Sequence, residues 1–234
     1  MLRPNAHRAR IAQILLMIVL GLSVVMIASN IFTYLLVDEI LTDGNYDEGR
    51  IALNDRFTQI SAVLWMIGYI ISGVTFILWF RRAYYNLNQI VKTDYTDGWA
   101  AGAWFVPIMN LYRPFQMMKE LFEKGIKALP NELAASFHNN SGRLGLWWTL
   151  WIIGNILSRV GSSDVFLKDL EGIQTSSVMG MVSGSMEIIN AIILVKIISD
   201  YNRIELQLDT IAKGNDPNFV NERLANDETL LDTV

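Results

Sequence analysis

The chain has no cysteine, which removes disulfides, thiolate metal sites and a cysteine nucleophile. Histidine is nearly absent: His7 and His138 stand far apart, so a histidine-built metal cluster is not expected. Charge is sparse too. Asp, Glu, Lys and Arg make up 18% of the 234 residues, against about 25% in an ordinary soluble domain. No phosphate-cradling glycine loop, zinc-protease helix or G-x-S-x-G elbow occurs. A serine–histidine–aspartate site would have to use one of the two histidines, both poorly placed at the ends of apolar runs. These absences point away from an enzyme and imply no catalytic residue, metal or cofactor.

What the sequence does have is apolar runs. Hydrophobic residues reach 52% and the mean hydropathy is +0.29. Four runs qualify as membrane crossings: residues 11–37, 57–80, 144–161 and 178–198. The first has 27 residues, about 40 Å of helix against a hydrocarbon core of about 30 Å, so it should tilt or project. Arg3, Arg8 and Arg10 precede it, as in a signal peptide. Its length and the lack of a small-x-small cleavage site favour a retained signal-anchor. The third run is uncharged only to Ser158 and needs Arg159 to snorkel at the outer interface.

Orientation follows from the basic residues. Four crossings place residues 1–10, 81–143 and 196–234 on one side, with 3, 8 and 4 Lys and Arg, 15 in all. Only Arg50, Arg56, Arg159 and Lys168 fall on the other, so both termini are expected in the cytoplasm. Beyond what this rule demands there is no basic patch for nucleic acid. The first external loop carries Asp38, Glu39, Asp43, Asp47, Glu48 and Asp55. They lack the spacing of a calcium loop and read as a solvated face.

The uncharged run 98–112, GWAAGAWFVPIMNLY, is too short to cross and is interrupted by Pro107. It suits a re-entrant or interfacial hairpin on the cytoplasmic face. Residues 113–129 follow, with Pro114 in the first helical turn and an apolar stripe of Phe115, Met118, Phe122, Ile126 and Leu129. Gln116, Lys119, Glu120, Glu123, Lys124 and Lys127 fill the other face. This predicts an amphipathic helix on the membrane or on a partner helix, with Glu120–Lys124 and Glu123–Lys127 as i,i+4 pairs.

The string WFVPIMNLYRPFQMMKEL at 104–121, with RRAYYNL at 81–87, GWAAG at 98–102 and GRLGLWWTLWIIGNIL at 142–157, resembles the DUF4328 family of bacterial multi-pass membrane proteins. The resemblance covers roughly residues 60–200 and leaves out the acidic first loop and the C-terminal tail. It implies as family positions Arg81, Asn86, Leu87, Trp99, Trp104, Pro107, Asn110, Arg113, Pro114, Glu120, Trp147, Trp148 and Trp151. It also implies a bacterial inner-membrane protein, and it brings no established activity. Read physically, Asn110 and Arg113 cap the end of the apolar run. The tryptophans and Tyr112 form an interfacial belt, or else line a pocket where Arg113 grips an anionic group.

Glu187 sits near the middle of the fourth run, where an ionised carboxylate is costly. Asn190, Ser183, Gly184 and Gly180 share its face at helical spacing, and Gly180 and Gly184 form a small-xxx-small pair that admits a second helix. That helix belongs either to this chain or to a second copy. Glu187 serves either proton or cation handling or as a hydrogen-bonded link between helices, with Asn30 or Asn155 as the expected partner. Further on, Ile197, Tyr201, Ile204, Leu208 and Ile211 form a short a/d seam on a cytoplasmic helix 199–213. It suits a coiled coil between subunits or docking onto the 113–129 helix. Residues 214–234 read as an acidic flexible tail.

The expectation is an all-α membrane protein: a four-helix transmembrane bundle in one domain, 1–213, with a re-entrant or interfacial segment and cytoplasmic amphipathic helices. The function expected is that of a non-enzymatic accessory or scaffold protein, with the lipid bilayer, further copies of itself or a membrane complex as partners. The alternative is a small transporter or channel subunit using Glu187 and the broken 98–112 segment.

Overall fold

The computed structural model describes residues 2–44, 47–137 and 141–214. His138 and the tail beyond Gly214 lie outside the described residues. Helix accounts for 83% of what is described, and no strand occurs there. The order is α1 Ala6–Asp43, α2 Glu48–Asn88, α3 Asp97–Gly102, a 3-10 turn Met109–Leu111, α4 Arg113–Lys127, α5 Asn131–Ala134, α6 Ser141–Gly161 and α7 Leu170–Gly214. The expected break at Pro107 holds, because 98–112 divides into α3, a loop and the 3-10 turn.

Helices α1, α2 and α7 are long and apolar enough to cross a membrane. They contain 38, 41 and 45 residues, far more than the roughly 20 a bilayer requires. The acids expected in an external loop therefore lie largely on helix ends, with Asp38, Glu39 and Asp43 on α1 and Glu48 and Asp55 on α2. Arg50 pairs with Glu39 at 2.9 Å. The cytoplasmic helix expected at 199–213 is the continuation of α7. The expected third crossing is α6, with 21 residues. It is not among the described helices whose length and hydropathy suffice for a crossing, because tryptophan, Asn155, Arg143 and Arg159 dilute its aliphatic content.

The chain divides into two compact units. One comprises residues 10–76 and 141–198, so it holds most of α1 and α2, all of α6 and the first part of α7. Its glycines explain the close packing. A Cβ at Gly180 would stand 2.6 Å from Asn30 Oδ1, and one at Gly184 would stand 2.9 Å from Ile27 Cγ1. The small-residue face of α7 thus meets α1 of the same chain. Helix α6 runs antiparallel to α7, with Gly154 beside Met186 and Gly161 beside Met179. Trp147, near the start of α6, lies 6.2 Å from Phe76 between ring centroids. At the opposite end of α7, Gln174 donates to Asp38 of α1 at 3.1 Å.

The other unit comprises residues 2–9, 77–137 and 199–214 of the described chain. Its core joins Trp79, Phe80, Tyr84 and Leu87 of α2, Met117, Met118, Leu121 and Phe122 of α4, and Tyr201, Ile204 and Leu208 of α7, all buried. Tyr201 meets Phe122 and Trp79 edge-on, with centroids 5.4 and 6.2 Å apart. A Cβ at Gly125 would lie 3.3 Å from Ile204. The a/d seam therefore docks onto α4, the second of its two expected roles.

Helix α4 corrects its sequence reading in two respects. Its buried face is Pro114, Met117, Met118, Glu120, Leu121, Phe122 and Gly125, while Phe115 and Ile126 are only half-buried. The helix is covered more broadly than a single membrane-facing stripe requires, so Met117 and Leu121 are fully enclosed and Glu120 is carried inside. Lys124 does pair with Glu120 at 2.7 Å, but Glu123 pairs with Lys119 at 3.7 Å rather than with Lys127.

Candidate functional site

Three carboxylates are hydrogen-bonded within the chain, Glu120 and Glu205 buried and Glu187 half-buried. Glu187 on α7 is the first. Its Oε2 lies 2.8 Å from Ser23 Oγ on α1 and accepts from Trp65 Nε1 on α2 at 3.0 Å. Ser23 Oγ is also 3.0 Å from the Val19 carbonyl, so one hydroxyl proton serves two acceptors. Trp65 stacks on Tyr69 at 5.1 Å. The expected partners are engaged elsewhere: Asn30 donates to the Met26 carbonyl, and Asn155 donates to the Trp151 carbonyl. Ser183 Oγ turns back to the Gly180 carbonyl of its own helix at 3.2 Å. Asn190 has a buried Oδ1 with no hydrogen-bond partner.

Glu120 is the second. It accepts the phenolic proton of Tyr84 on α2, the Asp94 backbone N–H at 2.6 Å and the Lys124 ammonium at 2.7 Å. Lys124 also reaches Asp94 Oδ1 at 2.8 Å and the Lys92 carbonyl at 3.0 Å. The hydrogen bond to Asp94, then that to Glu120, raises the Lys124 pKa above the usual lysine value. The same connecting segment is held at two more points. Arg81 pairs with Asp97 at 3.2 Å, and the Arg113 guanidinium lies 4.4 Å from the Tyr95 ring and 5.3 Å from the Tyr112 ring. Arg81 on α2 and Arg113 and Glu120 on α4 all fix residues 94–97.

Around this clamp the loop between α3 and α4 is bare. Phe105, Ile108 and Leu111 are 76%, 75% and 55% exposed, with Pro107, Val106, Trp99 and Tyr112 exposed beside them. Asn110 closes the turn through its backbone, donating to the Val106 carbonyl at 2.8 Å, while its Oδ1 is buried without a hydrogen-bond partner. The tryptophans differ in burial. Trp147 and Trp148 are buried and their rings lie 5.3 Å apart, with Trp151 stacked 4.9 Å from Trp148. Trp99 is exposed and Trp104 is half-buried.

Glu205, on α7, is the third carboxylate and was not singled out. It is buried and accepts from Asn86 Nδ2 at 2.6 Å and from Asn5 Nδ2 at 2.9 Å. Asn86 also exchanges two hydrogen bonds with the backbone of Arg3. The signal for Glu205 in the sequence is slight: an acid one turn beyond Tyr201 on the seam helix. Ser23, Trp65 and Tyr84 were missed as well, since nothing local marks a polar atom as aimed at a carboxylate. Among the described residues, no three His, Cys, Asp or Glu side chains gather to hold a metal.

These features define an all-helical protein with helices fit to cross a membrane and carboxylates bound inside it by its own donors. The chain belongs to the family described as a domain of unknown function, DUF4328, whose family model matches residues 42–203. The match takes in every family position named above, and also Asp43, Asp47, Glu48 and Asp55, which the resemblance had left outside. No curated protein and no solved structure matches the chain.

Proposed function

We propose that this is a non-enzymatic accessory or scaffold protein of a bacterial inner membrane, acting through contacts with further copies of itself or with a membrane complex. The observation that carries the reading is the exposed apolar tip Phe105–Ile108–Leu111, held on the clamped 94–97 segment. The other apolar surfaces that suggested partners are occupied within the chain: the Gly180–Gly184 face by α1, and the seam by α4. In this proposal the tip lies at the cytoplasmic interface, where an uncharged loop flanked by Trp99, Tyr112 and Arg113 is at home.

In this reading α6 is a fourth crossing and both termini are cytoplasmic. Its antiparallel run along α7, from the level of Phe76 to that of Met179, supports this. The transporter alternative gives Glu187 a mobile charge. Its two donors, Ser23 and Trp65, suit a link between helices better.

The test is the mass and composition of the particle purified from its own membrane into nanodiscs. Other chains in fixed ratio, or a closed homo-oligomer, support the proposal. A lone monomer under every mild extraction overturns it.

A further inference from the structure

A cleft of about 230 Å³ opens beside Glu205, walled by Asn5, His7, Asn86, Asn202 and Asp209. We propose that it is a binding site for a small organic cation, a primary amine or guanidinium compound whose N–H groups meet the Glu205 carboxylate. This stands apart from the accessory role and does not depend on it.

The argument begins with an imbalance of donors and acceptors. Glu205 is 6% exposed, and every donor that the described residues give it is a neutral carboxamide. Buried carboxylates are ordinarily matched by a cation, because amide dipoles only partly replace lost hydration. A carboxylate offers about four lone-pair directions, so the three amide contacts leave it capacity to accept from a further donor.

Asn5 makes the second, independent observation. It is 4% exposed; its Nδ2 is spent on Glu205 and the Trp79 carbonyl, and its Oδ1 has no hydrogen-bond partner. Turning the amide over would set oxygen against the Glu205 carboxylate, so the carboxylate itself fixes which atom is left over. Beside the cleft thus lie a buried acid and, enclosed behind it, an orphan carbonyl oxygen, both acceptors. What complements them is a ligand rich in donors and positively charged.

Arg82 acts on Glu205 through its charge alone, with no hydrogen bond to the carboxylate among the described residues, so the lone pairs facing the cleft keep their demand for a donor. Asp209 is tied to Lys213 at 2.6 Å, and the Arg3 guanidinium lies 4.2 Å from the Tyr85 ring centroid. His7 stands exposed at the rim. A bare metal ion fits less well, since no three metal-binding side chains gather among the described residues. With about 30 Å³ per water-sized group, the space suits a molecule of several heavy atoms.

The test is calorimetric titration of the whole protein in nanodiscs with putrescine, ethylamine and guanidinium chloride, with potassium and magnesium chloride as controls at equal ionic strength. Saturable binding of at least one organic cation at one site per chain is expected, weakened at least tenfold by Glu205→Gln. Asn202→Arg, which tethers a guanidinium at the cleft without altering the carboxylate, is expected to abolish binding and to raise the thermal midpoint. It decides the matter if Glu205→Gln does not fold. No saturable binding of any of the three probes overturns the proposal. So does binding that survives Asn202→Arg, or equal binding of potassium or magnesium. A monomeric particle that binds an amine would sustain this site while removing the accessory role.

Discussion

Glu120 on α4 accepts the phenolic proton of Tyr84 on α2, and through its other contacts it also holds the Asp94 backbone and Lys124. A carboxylate 7% exposed therefore ties two helices and the segment between them into one polar knot. Removing one partner leaves the others buried and unmatched, which costs more than the net worth of a single bond.

Tyr84→Phe should therefore lower stability by about 1–3 kcal/mol, and Glu120→Leu by more, since it orphans both the Tyr84 hydroxyl and the Asp94 N–H. Because the residues share one network, the double variant should lose less than the sum of the two. Thermal unfolding of the four proteins in one detergent gives the cycle, and strict additivity would count against a shared knot.

Lys124 gives the same knot a pH signature. Its folded pKa is raised by Asp94 and Glu120, so the stabilisation is fully present below the unfolded lysine value of about 10.4 and is lost as pH rises through the folded one. Lys124 is partly exposed, so the effect is modest. Unfolding midpoints should fall more steeply above about pH 10.4 in the wild type than in Lys124→Met. Parallel curves would show that the ammonium adds nothing.

The long helices were legible because unbroken apolar runs leave few other folds open. The Gly180–Gly184 face was legible for a related reason: small residues at helical spacing announce close approach, though not which helix approaches. Glu120 was misplaced because helical periodicity assigns a face from its neighbours, and α4 is enclosed on more sides than one stripe implies. Glu205 escaped notice because its partner Asn86 lies 119 positions away. Local spacing says nothing about a carboxamide brought in by the tertiary fold. The partner of Glu187 was missed in the same way, with Asn30 and Asn155 favoured over Ser23 and Trp65 because an amide is the more conspicuous polar group.

The glycines of α7 separate packing from propensity. Gly180→Ala puts a methyl 2.6 Å from Asn30 Oδ1 and should destabilise by about 1–3 kcal/mol, as overpacking does. Gly73→Ala on α2 meets nothing within 4 Å and should instead stabilise by about 0.5–1 kcal/mol through helix propensity. Chemical denaturation of both in one detergent checks the contrast, and two shifts of the same sign would deny the close contact between α1 and α7.

Glu187 distinguishes a link from a conduit. If it joins α7 to α1 and α2, Glu187→Gln retains an acceptor for Trp65 and should change stability little, whereas Glu187→Leu removes the acceptor on α7, leaving Trp65 Nε1 only Ser23 Oγ and the Ser23 hydroxyl only the Val19 carbonyl of its own helix. The loss in the second case should be about 0.5–1.5 kcal/mol, within the span for polar contacts between helices in membranes. A moving proton inverts the order, because Gln cannot be ionised and would abolish flux while leaving the fold intact. Thermal stability of both variants should therefore be read beside proton flux in proteoliposomes. Little change for Gln in either measurement, with a stability loss for Leu, marks a structural link. Flux that disappears with Gln makes the carboxylate a carrier and moves the transport reading ahead of the accessory one.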